Sequence, residues 1–205
     1  MYVPPSFEEH DPAEIRRLIR THAFATLVSW DGVRPLATHL LFDPADGPDG
    51  ELVLRGHMSR ANPQWKTFSP ATEVLAVFLG PHAYVSPTWY QGPGVPTWNY
   101  QAVHVYGKPR LVERPEELEG LLSRLVEGYE RSYRLEGLPE GHVRSTMKGV
   151  MGFEIAVTRI EASSKLSQNK VGEDYRTIVR ELEGRPDADS RAVAAEMRRR
   201  AKPEG

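Results

Sequence analysis

The chain has 205 residues, 40% of them hydrophobic and 26% charged, with a formal net charge of −2. That is enough chain for one sizeable core, and too balanced a charge for nucleic acid or an anionic membrane to attract the molecule as a whole. It has no cysteine, which excludes disulfides, a thiol nucleophile and thiolate metal sites, and its apolar runs are strand-length, too short to span a bilayer as helices.

The N-terminus, Tyr2-Val3-Pro4-Pro5, has no apolar stretch of the signal-peptide kind, so a cytoplasmic protein is expected. Asp11-Pro12-Ala13-Glu14 has a capping Asp, a Pro at the first helical position and a Glu at the capping-box place. Ile15, Leu18 and Ile19 give the helix that follows its apolar stripe, and Arg16, Arg17 and Arg20 read as a solvated face. Residues 23–30 and 33–42 read as a hairpin turning at Asp31-Gly32, because Gly accepts the positive φ of a tight turn. Residues 44–50 are expected to be a polar loop, 51–56 a strand, and Asn62-Pro63 the start of a short helical segment.

Residues 73–79 are continuously apolar after Glu73, which predicts a strand buried on both faces. Further strands are expected at 84–85 and 98–112. Pro115 opens the one long helix, with Leu118, Leu121, Leu122, Leu125, Val126 and Tyr129 at helical spacing. A helical stretch from Pro139 to Met147 precedes a strand at 152–160, and a last packed helix covers 173–182. Residues 183–205 are polar and are expected to fray. The whole predicts an α+β, mainly β fold: a split β-barrel of six to seven mostly antiparallel strands with peripheral helices. One domain, residues 1–182, is followed by a flexible tail, 183–205.

Three segments carry chemistry. Around the end of the third strand, Arg55, His57, Ser59, Arg60 and Asn62 offer guanidinium groups, a hydroxyl and a helix start. Those are the donors a dianionic phosphate needs, and equally those of a basic strand-to-helix turn capped by Ser59 or Asn62. Tyr84, Trp89, Trp98 and Tyr100, with Ser86, Thr97 and Asn99 between them, form either core or a wall on which a planar ring stacks. Lys165, Gln168 and Asn169 lie in a polar run directly after a strand, which suits the edge of a reducible ring or a solvated loop. The seven histidines have no metalloprotease spacing, so no metal is expected, although His57, His82 or His104 suits axial haem ligation. No catalytic residue stands out: there is no Gly-x-Ser-x-Gly elbow and no Gly-rich nucleotide loop.

Several motifs taken together resemble one family, the PaiB-type FMN-binding negative transcriptional regulators of the split β-barrel flavoproteins. They are Met1 to Pro4 with Phe7, Leu54-Arg55-Gly56-His57 with Arg60 to Pro63, Gly80 to Pro87 with Trp89-Tyr90, Val95 to Tyr100, Gly152 to Ile155 and Lys165 to Asn169. The resemblance implies a homodimer with FMN at the subunit interface. His57, Ser59 and Arg60 would hold the phosphate and ribityl chain, and Trp98, Asn99, Lys165, Gln168 and Asn169 would approach the ring. It implies a regulatory role with DNA or a regulatory protein as partner. The alternatives are a flavin-dependent oxidoreductase using a nicotinamide donor and a haem-binding protein on the same barrel. The sole basic cluster, Arg198 to Arg200 with Lys202, reads as a frayed helix end.

Overall fold

The structure is a computed structural model that describes residues 1–130, 132, 137 and 140–201. In chain order its elements are α1 (Pro12–Thr21), β1 (Phe24–Trp30), β2 (Pro35–Asp46), β3 (Leu52–Ser59), β4 (Val74–Val85) and β5 (Thr97–Val112). These are followed by α2 (Pro115–Tyr129), α3 (Glu140–Met147), β6 (Val150–Lys165), α4 (Gly172–Glu183) and α5 (Ala188–Arg200), with short 3₁₀ turns at Pro63–Thr67 and Pro87–Trp89. The strands close into a barrel in the order β1-β2-β3-β6-β5-β4, with antiparallel pairing of β1 to β2 and β4, and of β3 to β2 and β6. This is the expected split-barrel class, with six strands.

By contacts the chain forms two compact units. One comprises Met1–Leu18, Leu79–Val103 and Glu161–Gly205, and the other Ile19–Phe78 and His104–Ile160.

The second unit holds the barrel interior. Phe42 packs on Phe78 and Phe153 with ring centroids 5.4 and 6.2 Å apart, and Phe68 packs edge-on to Phe153 at 5.4 Å. Alternation along β3 turns Leu54, Gly56 and Met58 inward and leaves Arg55, His57 and Ser59 on the other face. Gly56 is small because a Cβ there would lie 2.7 Å from the Phe153 ring. Helix α2 buries Leu118, Leu121 and Leu125 against Val112, joined by Leu41 and Val150, while Tyr129 at the end of the expected stripe is exposed. Gln64, fully buried, ties the 3₁₀ turn to the first hairpin by donating to the carbonyls of Leu27 (3.0 Å) and Leu36 (3.3 Å).

In the first unit, Ala83, Val85 and Leu166 pack with Ile178, Val179 and Leu182 of α4 and Val193, Ala194 and Met197 of α5. The tail expected to fray from residue 183 is therefore an ordered helix as far as Arg200. Asp187 caps it, accepting from Ser190 N at 2.7 Å, and its buried residues Ser190, Val193, Ala194 and Met197 recur every three to four positions. Arginines on its last turn join carboxylates: Arg199 to Glu14 and Glu196, and Arg200 to Glu9 (2.5 Å) and Glu14 (3.0 Å). Lys202 and the residues after it lie outside the described residues, as does Pro139.

Other local expectations change for visible reasons. Asp11 caps α1 through Ala13 N at 2.9 Å, but Glu14 forms no capping box, because its carboxylate meets Arg17 (3.1 Å) as well as the α5 arginines. The first turn is four residues long, since the Asp31 carboxylate accepts from both Val33 N and Arg34 N at 2.8 Å, leaving Trp30 opposite Pro35. Pro44, Ala45 and Asp46 are strand rather than loop, paired with Leu54, Val53 and Leu52. β4 is not buried on both faces: it alternates, runs on to Val85 and so absorbs the short strand expected at 84–85, and leaves Leu79 54% exposed.

Candidate functional site

The sequence-derived site residues fall into two sets, one in each unit.

Arg55, His57, Ser59, Arg60 and Asn62 belong to the barrel unit. Arg55 lies opposite Glu154 in the β3–β6 ladder and its Nε donates to Glu154 Oε1 at 2.8 Å, while Arg110 Nη2 reaches Glu154 Oε2 at 2.5 Å. Burial pushes the Glu154 carboxyl upward, but hydrogen bonds and charge from Arg55 and Arg110 outweigh it and hold it below the usual carboxylate range. Arg55 is thus committed to a carboxylate sandwiched between two guanidinium groups. Asn62 is committed too: its Oδ1 accepts from Gln64 N at 3.0 Å as the cap of the 3₁₀ turn, and its Nδ2 donates to Thr38 Oγ1 at 2.9 Å.

His57, Ser59 and Arg60 are placed differently. Ser59 and Arg60 are exposed at the strand end. Ser59 Oγ accepts from Ala61 N at 3.2 Å, which leaves its hydroxyl proton to donate. Arg60 spends Nε and Nη2 on the carbonyls of Lys148 (3.1 Å) and Val150 (3.3 Å), so its guanidinium is oriented while Nη1 remains to meet an anion. His57 pairs with Gly152 across the ladder, and Gly152 has no room for a Cβ beneath Leu118 of α2 (2.7 Å). Burial holds the His57 imidazole below its ordinary pKa, and Nδ1 is buried with no hydrogen-bond partner. An oriented, exposed guanidinium and a free hydroxyl proton fit the oxygens of a phosphate monoester, whereas the His57 Nδ1 is closed off from solvent.

The low pKa of His57 has a consequence for stability. The unfolded chain takes up a proton below a pH of about 6.5, the ordinary value, while the folded imidazole stays neutral. Stability is full above that pH and drains as pH falls toward the folded value. The melting temperature is expected to drop between pH 7 and 5, and to drop less in His57→Gln. Identical pH curves for the two proteins would mean that the ring is solvated.

In the first unit, Trp98 is 47% exposed and lies 5.8 Å from the His82 ring and 6.2 Å from Tyr84, with the Arg185 guanidinium 5.9 Å from Tyr84 and 4.9 Å from Trp89. This part of the aromatic wall is a surface platform. Asn99 is fully buried, with Nδ2 2.9 Å from Ser167 Oγ and 3.6 Å from Met197 Sδ. Its partner Ser167 has a φ of +58°, a left-handed conformation that a serine holds only when its surroundings impose it. Gln168 is tied to its own loop, donating to Ser164 O at 2.5 Å and accepting from Leu166 N at 2.7 Å. Lys165 Nζ donates to Thr97 Oγ1 at 2.6 Å. Asn169 is exposed. Asn99 and Gln168 therefore shape the loop, and Trp98 and Asn169 present side chains to solvent.

Gln168 also lines a cleft of about 790 Å³ in this unit, with Lys170, Tyr175, Arg176, Arg198 and Arg200 among the other walls. The sequence reading missed this feature, because two of its arginines sit on the helix taken for a frayed tail.

A closed antiparallel barrel of this strand order is a split β-barrel; the anion-competent strand end belongs to one unit and the exposed aromatic platform to the other. Residues 1–159 match the family described as "Putative FMN-binding domain", and the chain belongs to that family. It is 37% identical over 201 residues to the "Protease synthase and sporulation protein PAI 2" of Bacillus subtilis (strain 168), covering 96% of each chain. This agrees with the PaiB-type resemblance and makes FMN the cofactor of the family. Two solved structures share the fold. The FAD and heme binding protein from Mycobacterium smegmatis has a TM-score of 0.61 at 12% identity, over 82% of this chain and 78% of that one. The flavocytochrome Anf3 from Azotobacter vinelandii has a TM-score of 0.59 at 14% identity, over 85% and 78%. Among the described residues, no helix is long and apolar enough to cross a membrane.

Proposed function

We propose that the protein is an FMN-binding split-barrel homodimer of the cytoplasm with a regulatory role, in which flavin occupancy biases a surface that meets DNA or a regulatory protein. The observation that carries the flavin reading is the exposed pair Ser59 and Arg60 at the end of β3, with unspent donors beside the buried His57, inside the family-matched segment. Arg60 and Ser59 bind the phosphate at the strand end, next to the buried ring of His57. FMN supplies a planar ring that absorbs visible light and accepts electrons. The regulatory half draws support from the name of the Bacillus relative, which refers to sporulation.

The basic cluster Arg198 to Arg200 does not favour a DNA-tracking arm, since its guanidinium groups are held by Glu183, Glu14, Glu196 and Glu9. Any DNA partner is met by another face.

The test is an absorption titration of the full chain with FMN and with riboflavin, which lacks the phosphate, followed by NADH without oxygen. Arg60→Ala is expected to weaken FMN binding by about tenfold or more and to leave riboflavin within about twofold, as loss of a charge-assisted phosphate contact requires. Equal losses for both ligands would refute the phosphate assignment. A bound flavin that NADH bleaches points to the oxidoreductase instead, and one that it leaves oxidised supports the regulator.

A further inference from the structure

In the barrel unit, outward positions on β5 and β6 carry Lys108, Arg110, Glu154 and Thr158, the polar side chains expected where an antiparallel strand faces water. The face made by β4, β1 and β2 departs from that pattern. Alternation along β1 turns Phe24, Thr26, Val28 and Trp30 outward. Their partners across the β1–β2 ladder are Leu41, His39, Ala37 and Pro35, and β4 adds Val77 opposite Thr26 and Leu75 opposite Val28. None of these is Asp, Glu, Lys or Arg, and the two polar members bond to each other, with Thr26 Oγ1 2.9 Å from His39 Nδ1.

The face is apolar and bare at once. Phe24 is 70% exposed and Trp30 57%, at opposite ends of β1, and the Phe24 ring lies 6.4 Å from that of His39. Helix α2 packs against Leu41 at one border. A contiguous apolar patch of this kind marks an interaction surface, because water gains by leaving it. Two aromatic side chains of about 150–250 Å² each are more than half bare, with smaller residues between them. The face is therefore of the order of the roughly 800 Å² that each partner gives to a stable interface.

Its chemistry selects the occupant. A two-fold contact sets a patch against itself, so any charge on it would meet its own like; a face without charges escapes that repulsion. Nucleic acid or a charged peptide would find nothing here to pair with. The charges stand at the rim, where Asp31 and Arg34 in the β1–β2 turn lie 3.8 Å apart, and an apolar centre with a polar rim is the anatomy of a homodimer interface. We infer that the outer face of β4, β1 and β2 is where a second copy of this chain docks, which rests on the homodimer reading above and gives it a surface. Phe24 and Trp30 are its anchors.

The test is sedimentation velocity of the full chain over a range of concentrations, together with hydroxyl-radical footprinting of the native protein. The native chain is expected to sediment with the mass of two chains. Phe24→Lys combined with Trp30→Lys places cations against their own copies at positions already exposed in one protomer, and is expected to weaken dimerisation by about tenfold or more. Tyr129→Lys, a control at a residue 69% exposed at the end of α2, is expected to leave it within about twofold. Footprinting needs no variant: Phe24 and Tyr129 are equally exposed in one protomer, yet Phe24 is expected to be labelled at least about threefold more slowly, as the buried centre of an interface requires. A native chain that sediments as a monomer would overturn both this face and the homodimer reading. A native dimer whose affinity survives the double substitution, equal weakening by Tyr129→Lys, or a Phe24 labelled as fast as Tyr129 would overturn this face alone and leave the homodimer to another surface.

Discussion

Met197→Ala is expected to cost about 3 kcal/mol of folding stability, measured by urea unfolding of the full chain. Met197 is fully buried in a core built from α4, α5, Ala83, Val85 and Leu166, and its sulfur lies 3.6 Å from Asn99 Nδ2. Truncation to alanine removes the transfer energy of the side chain and opens a cavity, because Val193, Ala194, Ile178 and Leu182 are fixed by their own helices. Residues in a frayed tail change stability by no more than about 0.5 kcal/mol, so the single substitution separates the two views of this segment. A change below that level would put α5 back among the loose ends. The loss is also expected to reach Ser167, whose left-handed backbone is held through Asn99, the residue that Met197 packs against.

That helix shows where sequence reading stopped. The barrel was legible because its strands obey simple alternation and its hairpins carry Gly and Asp at their turns. Asp11, Asn62 and Pro115 marked helix starts that the structure bears out. Helix α5 has only Val193, Ala194 and Met197 as apolar core residues among arginines and the acidic Asp189 and Glu196, a stripe too narrow to register in composition. What holds it is long-range: the ion pairs to Glu9 and Glu14 span almost the whole chain, and no local pattern announces them. The cleft was invisible for the same reason.

The candidate site was legible as residue types and illegible as commitments. The donors around β3 could be recognised, but the sequence does not say that Arg55 is spent on Glu154, since that pairing depends on the β3–β6 register. Nor does it say that Asn62 is a cap while Arg60 retains a donor. His57 was legible as a candidate ligand but not as a buried ring; its cross-strand partner Gly152 lies against Leu118 of α2, about sixty residues further along the chain. Gln64 left no signal at all, because a buried glutamine that bridges two carbonyls looks like any polar residue after a proline.

Gly107→Ala is expected to destabilise the protein by about 3 kcal/mol, at the upper end of what overpacking costs. A Cβ on Gly107 would lie 2.4 Å from the carbonyl oxygen of Ala156 and 2.5 Å from Cγ2 of Ile155. A flexible side chain can swing away, but a strand carbonyl cannot move without dragging β6. The comparison is Gly32→Ala, where φ is +94° but nothing lies within 4 Å, so the cost is backbone strain alone, about 1 kcal/mol. Guanidinium unfolding of the two variants should therefore rank Gly107 well above Gly32, and the reverse order would mean that β6 yields. The substitution should also reach the proposed phosphate site, since β6 carries Glu154, which pairs with Arg55, and Val150, whose carbonyl orients Arg60. A shift of β6 at Ala156 is thus expected to weaken FMN more than riboflavin, as is expected of Arg60→Ala but to a smaller extent. Such a result would show that the proposed phosphate-binding end of β3 takes its geometry from its neighbour strand and not from the turn that follows it.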